Sequence, residues 1–153
     1  MVRRGLLTAL LLLLFGASFA DAPRIAIIID DLGYHLANGK RAIRLPGPIT
    51  FSFLPGSPRA QQLADHAHEN GKDVLLHLPL QAHSSDGRRE PSEIDLDMSR
   101  ATMSAVVDAA LRSVPHAIGI NSHRGSLLTR HPGHMQWLME EIHDRENLFF
   151  IDS

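Results

Sequence analysis

The sequence predicts an α/β fold built on a parallel sheet, and three observations lead there. Short runs rich in β-branched residues recur at 25–29, 49–54, 74–78, 117–120 and 148–151, and segments with helical apolar spacing lie between most of them. The runs lack polar alternation, which is the pattern of strands covered on both faces. Strands that alternate with helices are joined by crossovers and so lie parallel.

Taken in order, the first segment is not part of that fold. Residues 1–20 hold two arginines, an apolar run from Leu6 to Phe15 relieved only by Thr8, and then small residues. This is the layout of a secretory signal, with Ser18-Phe19-Ala20 as the cleavage site and Asp21 as the mature start. The run is short for a membrane span of about 20 residues. An uncleaved anchor is the alternative, and the expected destination is the periplasm or the exterior.

The first strand, in RIAIIIDDLG, leads directly into Asp30 and Asp31. The segment 33–47 is a weaker helix because Gly39 interrupts it. A clearer helix follows in SPRAQQLADHAHENG, with Ser57 to cap it, Pro58 in the first turn, Gly71 at the stop and a stripe of Ala60, Leu63, Ala64 and Ala67. Ser99 caps the next, whose stripe is Met103, Val106, Val107, Ala110 and Leu111. The last helix carries Met135, Leu138, Met139 and Ile142 on one face. Residues 81–97 read as a long polar loop. The closing NLFFIDS reads as a buried strand with a polar exit. Such a strand normally feeds another element, so the chain is expected to be the front part of a longer protein.

Composition narrows the function. The chain has 153 residues and no cysteine, so export brings no disulfides and stability rests on packing or metal. Fifteen basic and 17 acidic residues nearly cancel, which leaves no electrostatic footprint for nucleic acid. Ten histidines are the compositional oddity.

The polar residues fall where parallel α/β folds bind ligands, at the carboxyl ends of strands. Asp30 and Asp31 follow the first run, His77 lies near the end of the third, Asn121, Ser122 and His123 follow the fourth, and Asp152 follows the fifth. One carboxylate and two imidazoles make a usual shell for a catalytic divalent metal, and a neighbouring carboxylate can take a proton from its water. A cation also removes the repulsion of paired carboxylates. Each residue alone has a plainer reading: a turn or cap for the Asp pair, a satisfied core histidine for His77, a loop histidine for His123. His66, His68 and His143 read as solvent-facing on helices, and His35, His83 and His116 lack a partner in the pattern. His131 and His134 offer a substitute ligand or a cap for the last helix.

The blocks IAIIIDDLGY, VLLHLPLQ, GINSHRGSLLT and LFFIDS, in this order and spacing, resemble the divergent polysaccharide deacetylases, the YibQ-like branch of the NodB-type carbohydrate esterases. The resemblance covers residues 23–153 as one deacetylase-like domain. It implies a distorted (β/α) barrel of the glycoside hydrolase/deacetylase type, of which this chain holds the front part. It also implies metal-dependent removal of acetyl groups from polysaccharides. In classical members the first Asp of the pair is the base and the second a ligand, which carries over as Asp30 and Asp31. The classical second motif, His-Ser/Thr-x-x-His, supplies two ligands. Asn121-Ser122-His123-Arg124-Gly125 supplies one histidine in a different register, so His77 is expected to complete a shell of Asp31, His77 and His123 around zinc. Tyr34, Asn121, Ser122 and Asp152 are the substrate-binding candidates. The later classical elements, including the acid histidine, are expected beyond Ser153.

Three hypotheses follow: a metal-dependent deacetylase of an exported or envelope glycan, a barrel that binds glycan or an envelope protein without catalysis, and a metal-dependent hydrolase of another ester or amide. The intact Asp pair favours the first, and the altered second motif favours the second.

Overall fold

The computed structural model describes residues 23–83, 89–145 and 147–153. The signal-peptide reading, and residues 84–88 of the polar loop, lie outside the described residues. Among those described, no helix is long and apolar enough to cross a membrane.

Five parallel strands form one sheet: β1 (Ile27–Leu32), β2 (Ile49–Phe53), β3 (Val74–Leu80), β4 (Ala117–Arg124) and β5 (Phe149–Ile151). Four helices alternate with them: α1 (Leu36–Ile43), α2 (Ala60–Glu69), α3 (Arg100–Ser113) and α4 (Pro132–His143). The strand order is β1-β2-β3-β4-β5, so each strand lies beside its predecessor and the winding never reverses. That order belongs to a section of a (β/α) barrel; doubly wound sheets reverse direction part-way.

The expectation of strands covered on both faces holds in the middle of the sheet and fails at its edges. β3 is buried along its whole length, and Phe51, Phe53 and Ile120 are fully buried beside it. In contrast Ile25 is 88% exposed, Ile27 52% and Phe149 44%. β1 and β5 each have one neighbour, so an apolar run there is only partly covered. A run of β-branched residues has the same look in either place.

The helices follow their stripes. Ala60, Leu63, Ala64 and Ala67 are all buried on α2, and Met103, Val107 and Ala110 on α3. The Ser99 side chain caps α3 by accepting from Thr102 N at 3.2 Å. Ser57 does not cap α2: its hydroxyl donates to Leu54 O at 2.8 Å, and Arg59 takes the cap position without a side-chain bond. Gly33 leaves the space this serine occupies, since an added Cβ there would lie 1.7 Å from Ser57 Oγ. The turn after β1 closes directly over that serine.

The loop after β3 is less polar than its composition suggests. Ile94 and Asp95 are fully buried, and Ile94 bridges in parallel to Leu80. Ile94 N donates to Pro79 O and Gln81 N to Ile94 O, both at 2.9 Å. The loop is therefore docked onto the end of β3.

Gly39 has a packing role in α1. It is buried against α2, and a Cβ there would meet Leu63 Cδ1 at 2.6 Å and Cδ2 at 2.7 Å. Replacing a helical glycine with alanine normally gains up to about 1 kcal/mol. Here overpacking of about 1–3 kcal/mol outweighs it. Gly39→Ala should lower the urea midpoint, and adding Leu63→Ala should cost less than the two single changes summed. A neutral or stabilising Gly39→Ala would show that the helices can part freely.

Candidate metal centre

Asp31, His77 and His123 converge from β1, β3 and β4. The register of β3 and β4 sets His77 opposite Asn121 and Pro79 opposite His123, so both imidazoles rise on one side of adjacent strands. β1 needs a distortion to join them. Its pairing with β2 runs from Ile29↔Phe51 to Leu32↔Phe53, three steps on one strand against two on the other. Asp31 takes up the extra residue at φ 61°, a left-handed conformation that aspartate tolerates better than most residues.

Asp31 Oδ1 lies 3.3 Å from His77 Nε2 and 3.1 Å from His123 Nδ1, and the two ring nitrogens are 3.0 Å apart. Bonds of about 2.0–2.1 Å at tetrahedral angles set ligand atoms about 3.3–3.4 Å apart, so the donor set fits a small divalent cation with little adjustment. Among the described residues these three form the metal-competent group of His, Asp and Glu side chains.

The imidazole of His77 is oriented from behind. Its Nδ1 lies 3.0 Å from Asn121 Oδ1. Because that oxygen only accepts, the proton sits on Nδ1 and the Nε2 lone pair faces Asp31. Asn121 is itself fixed: its oxygen also accepts from Ser52 Oγ, while its amide donates to Asp30 Oδ1 at 2.9 Å and Ser153 Oγ at 3.3 Å. Asp30 is thereby held beside the cluster, with Oδ1 3.9 Å from His77 Nδ1.

The site opens to solvent on one side. A cleft of about 590 Å³ is lined by Asp31, Tyr34, Leu54, Glu90, Pro91 and His123, with Arg89 and Arg124 at its margin. The Asp31 side chain is 65% exposed while that of His77 is only 5% exposed. A ligand in the cleft would meet the carboxylate first.

Family comparison agrees with this arrangement. Residues 27–153 match the family model for divergent polysaccharide deacetylases. The chain belongs to the divergent polysaccharide deacetylase family. It is 38% identical over 132 residues to the uncharacterized protein YibQ of Escherichia coli strain K12, which is 86% of this chain and 41% of YibQ. An uncharacterized protein of Haemophilus influenzae is 37% identical over 136 residues, 89% of this chain and 48% of that protein. The chain thus spans less than half the length of these curated relatives. The crystal structure of uncharacterized protein ATU2773 from Agrobacterium tumefaciens C58 superimposes with a TM-score of 0.80 at 22% identity, covering 89% of this chain and 56% of that one, which shows the shared fold.

Within this deacetylase-family chain the other predicted residues divide. Tyr34 is 53% exposed in the cleft, free to touch a ligand. Asn121 and Ser122, expected as substrate contacts, are buried with their polar atoms engaged by the protein. Ser122 Oγ donates to Ser153 O at 3.1 Å and lies 3.4 Å from Asp152 Oδ1. Both are enclosed behind the cluster, and Asp152 is an exposed neighbour of Ser122.

His131 accepts from His134 N at 3.3 Å, which makes it the cap of α4 and not a substitute ligand. His116 does have partners: its Nε2 lies 3.1 Å from Asp65 Oδ1 and its ring stacks on His68 at 4.0 Å. His66, expected to face solvent, is half-buried, with Nε2 out of contact with water. Sequence reasoning missed Ser52 and Glu90. Ser52 could have been found by the signal that singled out His77, a polar residue inside an apolar strand.

Burial pushes the pKa of His77 below the ordinary imidazole value. The Asn121 hydrogen bond and Asp30 oppose this, His123 adds to it and Asp31 opposes it. As pH falls below about 6.5 the unfolded chain takes up this proton before the folded one does. The contribution is therefore complete above that pH and is lost toward the lower folded value. Metal-free protein should lose stability on acidification through this window, and His77→Gln should flatten that limb in thermal unfolding followed across pH. An equally steep limb in the variant would assign the effect to other groups.

Proposed function

We propose that this chain carries the centre of a zinc-dependent deacetylase acting on an acetylated, exported or cell-envelope glycan. The observation that carries the reading is the convergence of Asp31, His77 and His123 at 3.0–3.3 Å with a second carboxylate, Asp30, beside them. Bound zinc would supply Lewis acidity toward an acetyl carbonyl and lower the pKa of water at the site.

The protein's own groups supply the rest. Asp31, His77 and His123 would hold the ion. Asp30 takes a proton from the attacking water, and the Asn121 amide, donating to it at 2.9 Å, holds that carboxylate in place. As the water oxygen bonds to the acetyl carbon and the C–N or C–O bond breaks, the leaving nitrogen or oxygen takes up the proton that Asp30 removed, and acetate departs. Tyr34 and Pro91 offer the cleft surface against which a sugar ring can rest. The secretory-type segment at 1–20 supports an exported setting.

A second reading is a barrel that binds glycan or an envelope protein without catalysis. The single histidine in the Asn121-Ser122-His123 block favours it. The two separate by measurement. Purified without chelator, the parent should hold stoichiometric zinc by elemental analysis, and Asp31→Ala and His123→Ala should both lose it. Asp30→Asn should keep the metal while acetate release from acetylated glycan falls by about 10²–10⁴-fold. Zinc at the same level in all variants would remove the ligand assignment. A parent that takes no metal at any reasonable supply would leave the binding reading.

A further inference from the structure

Asp31 and Tyr34 face two cavities. With Leu54, Glu90, Pro91 and His123 they line the cleft of about 590 Å³ already described. The same two residues also line a second cavity, of about 340 Å³, bounded by β1 and α1. Both volumes fall in the range of small-ligand sites, about 300–1,000 Å³. The exposed carboxylate of the centre therefore stands where two cavities meet, and not at the closed end of one. A centre at a closed end takes only the last unit of a chain, whereas one between two cavities takes a unit that has a neighbour.

The second cavity has its own chemistry. Ile29, Gly39 and Ala42 give it an apolar lining, and beyond Tyr34 its polar groups are His35 and Asn38. His35 stands at the cap position of α1 but makes no capping bond. Asn38 follows three residues later, which puts the two side chains on one face of the chain's turn into the helix. Both are exposed, and among the described residues neither side chain has a hydrogen-bond partner. An imidazole and a carboxamide can each donate and accept, as a sugar hydroxyl does. Charge separates the two cavities as well. Arg89 and Arg124 stand at the margin of the first, whereas the second has the carboxylates of Asp30 and Asp31 and no lysine or arginine in its lining. An anionic group would be repelled there.

We infer that His35 and Asn38, with Tyr34, form a second binding site that holds an uncharged sugar unit next to the one presented to Asp31, His77 and His123. The identity of the ligand as a glycan rests on the reading above; the arrangement of the cavities does not. The apolar lining suits the C–H face of a pyranose ring, and the few polar groups around it suit the hydroxyls. The polymer is then held within its length, with units on both flanks of the centre.

The test uses β-1,4-linked N-acetylglucosamine oligomers of one and four units, titrated into the ¹⁵N-labelled, metal-free full chain and followed by backbone amide shifts. The four-unit oligomer should bind at least about tenfold more tightly than the single unit. It should shift amides on both flanks, at His35 and Asn38 on one and at Glu90 and His123 on the other. His35→Ala combined with Asn38→Ala should weaken four-unit binding by about tenfold while the shifts at Glu90 and His123 persist. Both positions are exposed, so the thermal midpoint should hold; if it falls, Asn38→Ala alone, which raises helix propensity, repeats the test. Equal affinity for one and four units, no binding of either, or parental four-unit affinity in the variants would overturn the inference. Acetate release by zinc-supplied protein separates this result from the reading it rests on. Release with the same KM in parent and double variant would remove the second site alone. Two-flank binding without any release would remove the deacetylase and leave the second site standing.

Discussion

The Asn121 carboxamide ties the sheet together. It is bonded to Asp30 of β1, Ser52 of β2, His77 of β3 and Ser153 just beyond β5, while standing itself on β4. Neighbouring strands lie about 4.8 Å apart, so in a flat sheet β1 and β4 would be separated by about 14 Å. An asparagine and an aspartate cannot span that gap and still meet at 2.9 Å. The sheet must curl until β1 faces β4, which is the curvature of a barrel wall. One buried amide thus reports the architecture and fixes the site at once. Leaving any of its partners unpaired in this interior would cost about 1–3 kcal/mol each, so the curl and the polar cluster stabilise one another.

The polarity of that amide also explains how the centre departs from the classical two-histidine motif. The block on β4 supplies one imidazole, His123, and one orienting group, Asn121. The second imidazole comes from the neighbouring strand, where the register sets His77 directly opposite Asn121. A carboxylate at position 121 could accept from His77 but could not donate to Asp30. A carboxamide does both, through its two ends, and so joins His77 to Asp30.

Much of this was legible in the sequence because burial is. Polar residues inside apolar strands must have partners, which is why His77 stood out and why Ser52, by the same logic, should have. The stripes of the last three helices were readable for the same reason. What could not be read depends on neighbours that no local pattern encodes. Ile27 and Phe149 look like buried strand residues, and only the strand order shows that they lie on edge strands. Glu90 sits in a polar stretch indistinguishable from solvent-exposed loop until Ile94 is seen bridged to Leu80. Gly39 looked like a flaw in a helix and is instead the surface on which Leu63 packs.

The adjacent carboxylates in RIAIIIDDLG pose the sharpest local constraint. In a regular strand, successive side chains point to opposite faces, so Asp30 and Asp31 could not both address one imidazole. Here they flank it: Asp30 lies 3.9 Å from Nδ1 of His77 and Asp31 lies 3.3 Å from Nε2. The irregular pairing between Ile29 and Leu32, with Asp31 at φ 61°, makes this geometry available. The strain of a left-handed non-glycine residue costs on the order of 1–3 kcal/mol and persists only where its surroundings enforce it. Here the apolar run Ile27–Ile29 pairs with β2 on one side of the distortion, and Leu32, buried and paired with Phe53, pins the other. The hydrophobic strand is thus the clamp that holds a strained turn, and the turn is what allows two neighbouring residues to take different parts in one site.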